Sequence, residues 1–276
     1  MEIRVQHFEN AAAFFAAAGE FLLASPVPHN LILSIVDARL NLPEHGHYWV
    51  AFRGQDAVGV VLQSPLTFPA TLVPMEPSIN AAIVDAIAGA GIALPGVNGD
   101  AATASAFAGR WTEQSKSGAV PTQGQRLYEL VELKQIPPVE GYLKQAEATD
   151  RELALEWLRA FLAETQTPDN GAERLIDTSL AQGFLWLWHT DKPVSMAIRR
   201  KPIQDVVRVS AVYTPPENRR HGYAAACVHA VTKALIETDH RCVLYTDLGN
   251  PTSNSIYRQI GYRAVAETIH YRFDYP

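Results

Sequence analysis

The sequence predicts an α+β protein built from two similar halves, and three observations predict it. An aromatic and β-branched hairpin occurs twice. Tyr48-Trp-Val-Ala-Phe52, four turn residues and Ala57-Val-Gly-Val-Val-Leu62 align without a gap on Phe184-Leu-Trp-Leu-Trp188, four turn residues and Pro193-Val-Ser-Met-Ala-Ile198, 136 positions later. A strand closing the first half at residues 126–130 is echoed at 269–273. Between the halves, the proline pair in Gln135-Ile-Pro-Pro-Val-Glu-Gly141 keeps the preceding residue out of helix, which sets domains at 1–136 and 141–276.

A chain of 276 residues is long enough for two domains, and 47% hydrophobic against 19% charged residues excludes disordered, collagen-like and coiled-coil readings. With 23 basic and 29 acidic residues the net charge is -6, which gives no field for a phosphate backbone, so nucleic acid is not an expected partner. Cys227 and Cys242 are the only cysteines, too few for a disulfide framework, and are expected to be reduced and half-buried. Glu2, Glu9 and Glu20 spoil a signal-peptide reading of the Ala- and Phe-rich N-terminus. The uncharged stretch at 57–75 holds Pro65, Pro69 and Pro74, which a membrane-spanning helix would not tolerate. The expected location is therefore the cytoplasm, without a membrane partner.

In the second half, Thr149 and Glu152 have the spacing of a capping box, and Leu153, Trp157, Leu158, Phe161 and Leu162 follow at helical spacing, so a helix is expected over about 150–164. A shorter helix at 170–181 leads to strands at 184–189, 194–202 and 205–214. In the first of these, Trp186 and Trp188 fall on one face and Leu185 and Leu187 on the other, a pattern that packing explains. A third helix at 222–237 buries Ala224, Val228, Val231 and Leu235, and a strand at 242–247 follows. The fourth helix, 251–260, has Asn250 to cap it, Pro251 at its first position and Gly261 to close it, and strands occupy 263–273. The first half has a comparable order, but residues 71–80, where the equivalent strand-to-helix loop falls, contain neither Gly nor Arg. The polar run between Gly109 and Arg126 reads as a mobile surface loop.

The chemistry concentrates in Tyr213-Thr-Pro-Pro-Glu-Asn-Arg-Arg-His-Gly-Tyr-Ala224. A strand, a loop and a helix N-terminus present free N–H groups and the positive end of a helix dipole, a site suited to phosphate or pyrophosphate. Arg219, Arg220 and His221 add positive charge, and Gly222 lets a ligand approach the backbone. Helical spacing puts Asn250, Ser253 or Asn254, and Tyr257 along one face, so they can meet one ligand.

The run Arg219-x-x-Gly222-x-Ala224 after a strand resembles the acyl-CoA pyrophosphate motif, Q/R-x-x-G-x-G/A, of the GNAT superfamily of N-acetyltransferases. Asn250, followed seven residues later by Tyr257 and then by Gly261 and Tyr262, is similar to that superfamily's second motif. The resemblance covers about 141–276, with the first half a weaker, GNAT-like copy that lacks the CoA motif. It implies a central mixed, mostly antiparallel sheet flanked by helices in each half, and acetyl transfer from acetyl-CoA to a small-molecule or peptide amine. No covalent enzyme intermediate and no metal would be needed.

By the resemblance, the backbone of Val212, Tyr213 and Thr214 pairs with the pantetheine arm at a splay between two strands. The loop Arg219, Arg220, His221, Gly222, Tyr223 and Ala224 holds the pyrophosphate, Asn250 contacts the cofactor arm with Ser253 and Asn254 beside it, and Tyr257 is the general acid. A phenol stays protonated at neutral pH and can donate to a departing thiolate. Glu217, His189, Asp247 and an ordered water remain alternatives for the base. A CoA-binding scaffold without turnover, or a mycothiol-synthase-like acyltransferase with another acceptor, are the alternative functions.

Overall fold

Caps and alternation place the elements. Asn10 accepts the Ala13 N–H at 2.9 Å, Asp100 the Thr103 N–H at 2.9 Å and Asn250 the Ser253 N–H at 3.0 Å, each opening a helix. The computed structural model describes residues 2–276, in two compact units. The first unit runs to Leu127 and also takes Asp247–Gly249 and Ala264–Pro276; the second takes Tyr128–Thr246 and Asn250–Arg263. The two longest strands therefore each begin in one unit and end in the other, so these units differ from a single cut at the proline linker.

In chain order the first half reads β1 (Ile3–Phe8), α1 (Ala11–Leu23), α2 (Asn30–Asn41), β2 (His47–Arg53), β3 (Asp56–Gln63), β4 (Ala70–Leu72), α3 (Pro77–Gly89), β5 (Gly96–Asp100), α4 (Ala101–Ser115) and β6 (Gly118–Leu130). The second half reads β7 (Tyr142–Gln145), α5 (Arg151–Glu164), α6 (Ala172–Ala181), β8 (Leu185–His189), β9 (Pro193–Arg199), β10 (Val206–Tyr213), α7 (Tyr223–Ile236), β11 (Arg241–Asp247), α8 (Pro251–Ile260) and β12 (Tyr262–Asp274). The repeated hairpins are β2–β3 and β8–β9, both antiparallel.

Within the first unit the strands pair in the order β1-β2-β3-β4-β5-β12, all antiparallel except β4 with β5. Its core packs Trp49, Ile83, Ile87, Phe107 and Trp111 with Phe273 from the last strand. Within the second unit β7-β8-β9-β10-β11 pair in that order, and only β10 with β11 is parallel. One face of this sheet packs Trp188, Val207, Val209 and Leu244 on α7 residues Cys227, Val228 and Val231. The other packs Leu185, Leu187, Met196 and Ile198 with α5 residues Leu155, Trp157 and Leu158. The Trp and Leu alternation of β8 is thus core packing on both faces.

Three expectations are corrected. The expected mobile loop at 109–126 is the end of α4 and most of β6, because Trp111 stacks between Phe107 and Phe273 and holds the helix to the core. The capping box lies two residues earlier than predicted, at Glu147 and Asp150, on a 3-10 turn at Ala148–Asp150 that precedes α5. Both cysteines are fully buried, in the α7 face of the second core, rather than half-buried. Among the described residues no helix is long and apolar enough to cross a membrane.

Candidate functional site

The site begins where a strand pair comes apart. The parallel ladder of β10 with β11 runs from Val206 opposite Arg241 to Val209 opposite Leu244 and stops, although β10 continues to Tyr213 and β11 to Asp247. The cause lies on the other edge of β10. Ser210 pairs with Ile198 and Tyr213 with Met196, so Ala211 and Val212 together oppose the single residue Ala197. This is a β-bulge, which bends its strand and sharpens its twist. Ala211 takes φ +48° there, a left-handed conformation that costs an L-residue roughly 1–2 kcal/mol. Val212, Tyr213 and Thr214 therefore lie beyond the last β10–β11 pair, on the side where the ladder is open. Sequence reasoning missed the bulge itself, since Val206–Tyr213 holds no glycine or proline to mark it.

The chain then turns through Pro216–Asn218 into α7. Arg220 has φ +70° and Gly222 φ +82°, and Gly222 is the N-cap, with no side-chain cap hydrogen bond and no acidic residue in the first turn of the helix. The first-turn N–H groups of α7 are thus left to a ligand or solvent. A Cβ at Gly222 would sit 3.1 Å from Val139 Cγ2, so glycine is required here by conformation and packing whether or not a ligand binds. Arg219 does not offer a free charge to the loop: its guanidinium donates to Glu164 at 2.6 Å and 2.9 Å and to the Thr214 carbonyl at 2.9 Å. It ties the loop to the end of α5. Arg220 and His221 are exposed, and His221 stacks on Tyr223 with ring centroids 5.4 Å apart. Ala224 lies in the first turn of the helix, partly exposed.

Helix α8 brings the second group of predicted residues together, with their roles divided. The Asn250 side-chain oxygen accepts from the Ser253 N–H and caps the helix. Asn254 is buried; its side-chain amide donates to the Asn250 carbonyl at 2.8 Å and its oxygen accepts from the Tyr128 hydroxyl at 3.0 Å. These bonds hold the start of α8 to the end of β6. Gly261 ends α8 at φ +114°, where a Cβ would collide with the Glu132 carbonyl. Tyr257 is 7% exposed, with its ring 6.3 Å from Tyr128 and 6.2 Å from Tyr262.

Residues 194–271, from β9 into β12, match the model of the FR47-like protein family, a span that includes the bulge, the loop and α8. The whole fold is similar to an acetyltransferase of the GNAT family from Colwellia psychrerythraea, at 12% identity and TM-score 0.65, covering 99% of this chain and all of that one. This is the GNAT fold. A GCN5-related N-acetyltransferase from Sphaerobacter thermophilus is similar at 15% identity and TM-score 0.63, over 97% of this chain and 95% of that one. A tandem GNAT protein from the clavulanic acid biosynthesis pathway is similar at 9% identity and TM-score 0.53, over 97% and 98%. No curated protein matches the sequence.

In this GNAT fold burial sets several titratable groups. Burial pushes the Tyr257 phenol well above its usual value, so it is protonated at any physiological pH. Burial also pushes both thiols up to about 12, which leaves no useful thiolate at neutral pH. Among the base alternatives, Asp247 accepts the Gly249 N–H at 2.6 Å and shapes the turn before α8, while Glu217 is exposed. His189 ends β8 opposite Pro193; its Nε2 is buried without a hydrogen-bond partner, and burial, with Lys144 nearby, holds its pKa down.

Proposed function

We propose that this chain is an N-acetyltransferase that moves an acetyl group from acetyl-CoA to a primary amine by direct attack, at one site in residues 141–276, with residues 1–136 forming a copy without that site. The observation that carries the reading is the conjunction in one unit of a bulge-opened strand pair, an uncapped helix N-terminus and a buried tyrosine. Strand backbone beyond Val209 has no partner on β11, which leaves an edge for the amides of the pantetheine arm, while the Tyr213 and Thr214 carbonyls already accept from Ser195 and Arg219. The N-terminus of α7, with Arg220 beside it, suits the pyrophosphate.

In the step itself the amine nitrogen bonds to the thioester carbonyl carbon, the carbon–sulfur bond breaks and the sulfur leaves with the electron pair. Tyr257 donates its hydroxyl proton toward that sulfur, and the nitrogen loses a proton to a base or to water. A thiol has a pKa near 8.5, and the phenol lies above its usual 10, so complete proton transfer is uphill by at least about 2 kcal/mol. Tyr257 accordingly acts mainly as a hydrogen-bond donor to the departing thiolate. Neither cysteine is ionised at neutral pH, which argues against an acyl-cysteine intermediate.

Release of free CoA thiol from acetyl-CoA across a panel of primary amines tests the proposal. Amine-dependent release, with acetylated amine as the product, supports it. Binding of acetyl-CoA without release for any amine would favour a CoA-binding scaffold.

A further inference from the structure

Arg200 and Arg208 face each other across β9 and β10. The Arg200 N–H donates to the Arg208 carbonyl at 2.8 Å, and the register that pairs Val209 with Arg199 sets the two arginines directly opposite, on the same face of the sheet. Like charges in that position destabilise a strand pair. A structure normally relieves them with a carboxylate, as it does nearby for Arg241, which pairs with Glu129 at 2.8 Å. Among the described residues, neither the Arg200 nor the Arg208 guanidinium has a carboxylate or hydrogen-bond partner. Both side chains are partly buried, and burial together with Arg200 lowers the Arg208 pKa to about 10. Tyr245, on β11 where the ladder has just ended, is a polar group beside Arg208. Two partly buried cations side by side without an anion form an incomplete site, because the cost of taking charge out of water is offset by a counter-charge.

Along β10 the pair stands near the strand opening, on the other face of the sheet from Tyr257. Arg208 is on the face opposite α7, since Val207 and Val209 pack on that helix, and it stands three residues before the bulged Ala211, about 10 Å along the strand. An arginine side chain spans much of that length.

We propose that Arg200 and Arg208 bind an oxyanion, carboxylate or phosphate, carried by the amine acceptor, so that the substrates are amino acids or amino phosphates rather than plain amines. This rests on the proposed acetyl transfer for its direction and extends it to a substrate class. Two adjacent guanidinium groups suit the paired oxygens of either anion.

Matched amines that differ only in the anion test it: β-alanine against ethylamine for carboxylate, and 2-aminoethyl phosphate against ethanolamine for phosphate. The wild-type protein is expected to prefer one or both anionic members by about tenfold to a hundredfold in kcat/KM, and Arg208→Gln to lose most of that preference. Arg200→Gln is the second variant should Arg208→Gln not fold. Equal kcat/KM within each pair, or a preference that survives substitution of either arginine, overturns the proposal while leaving acetyl transfer standing. If no amine is acetylated, thermal unfolding with propionate and with methyl phosphate, each against chloride at equal ionic strength, decides instead. A rise in Tm with either anion that Arg208→Gln abolishes supports the anion site, and the absence of such a rise with both anions overturns it.

Discussion

The two halves contain the same strand–loop–helix element, β4–α3 in the first and β10–α7 in the second, and differ in whether it opens. In the first half, β4 pairs with β5 up to its last residue, Leu72 opposite Gly99, and no chain is left beyond the ladder. A Cβ at Gly99 would sit 2.4 Å from the Leu72 carbonyl, a measure of how tightly the two strands close. Glu76, paired with Arg53 at 2.7 Å, stands at the N-cap of α3, and Pro77 at the first position has no N–H to offer. In the second half, β10 runs four residues past its last partner on β11, and Gly222 leaves the helix N-terminus uncapped. The following helices show the same contrast. Asp100 and Asn250 cap α4 and α8 alike, yet the residue seven positions on is Phe107 in one and Tyr257 in the other. The strand–loop–helix order recurs in both halves; the uncapped helix N-terminus, the open strand edge and the hydroxyl occur together in one.

The largest expected effect comes from giving the second half the acidic helix start of the first. Ala224→Glu places a carboxylate in the first turn of α7, where the helix dipole favours it, so Tm should hold or rise slightly. Acetyl-CoA affinity should fall by about 100-fold, close to 3 kcal/mol, because the carboxylate repels the pyrophosphate. An affinity within threefold of wild type, measured by calorimetry, would remove this helix from the binding site. The variant is more informative than substituting Gly222, where a left-handed φ and Val139 would perturb the loop without a ligand.

Next in size is the hydroxyl. Tyr257→Phe converts α8 to the pattern of α4, and kcat should fall by about tenfold to a hundredfold with acetyl-CoA affinity little changed. An unchanged kcat, where chemistry limits the rate, would show that the phenol only packs. The mirror change Phe107→Tyr puts a hydroxyl into a fully buried position of the first core and should lower stability by about 1–3 kcal/mol without creating activity. Smaller still is a pH effect. The folded-state pKa of Tyr257 is raised, so it keeps its proton as pH rises, and kcat should show no loss from this group up to about pH 10. An alkaline limb below that, removed by Tyr257→Phe, would mean that the phenol is more acidic than its burial implies.

The sequence carried the helices and strands of the second half to within about two residues at most boundaries, because their caps are spelled in single residues: Asn250, Pro251 and Gly261 all sit where expected. The repeated hairpin was legible as well, since both stretches fold as antiparallel pairs, β2–β3 and β8–β9. What stayed hidden depends on partners far along the chain. The polar run before Arg126 looks like a loop until Trp111 and Phe273 are seen to stack. The Ala211 bulge has no sequence mark, Arg219 looks like a phosphate ligand until Glu164 is found beside it, and Asn254 like a ligand contact until Tyr128 is. Arg200 and Arg208 are eight positions apart, and only the strand register makes them neighbours.

If one half opens for acetyl-CoA and the other is closed, the difference appears in the stoichiometry of binding. Titration calorimetry of the full chain with acetyl-CoA should give one site per chain, and that site should weaken by about 100-fold in Ala224→Glu. Two sites per chain, or one site indifferent to Ala224→Glu and weakened instead by substitutions at the start of α3, would mean that the first half binds acetyl-CoA as well or instead.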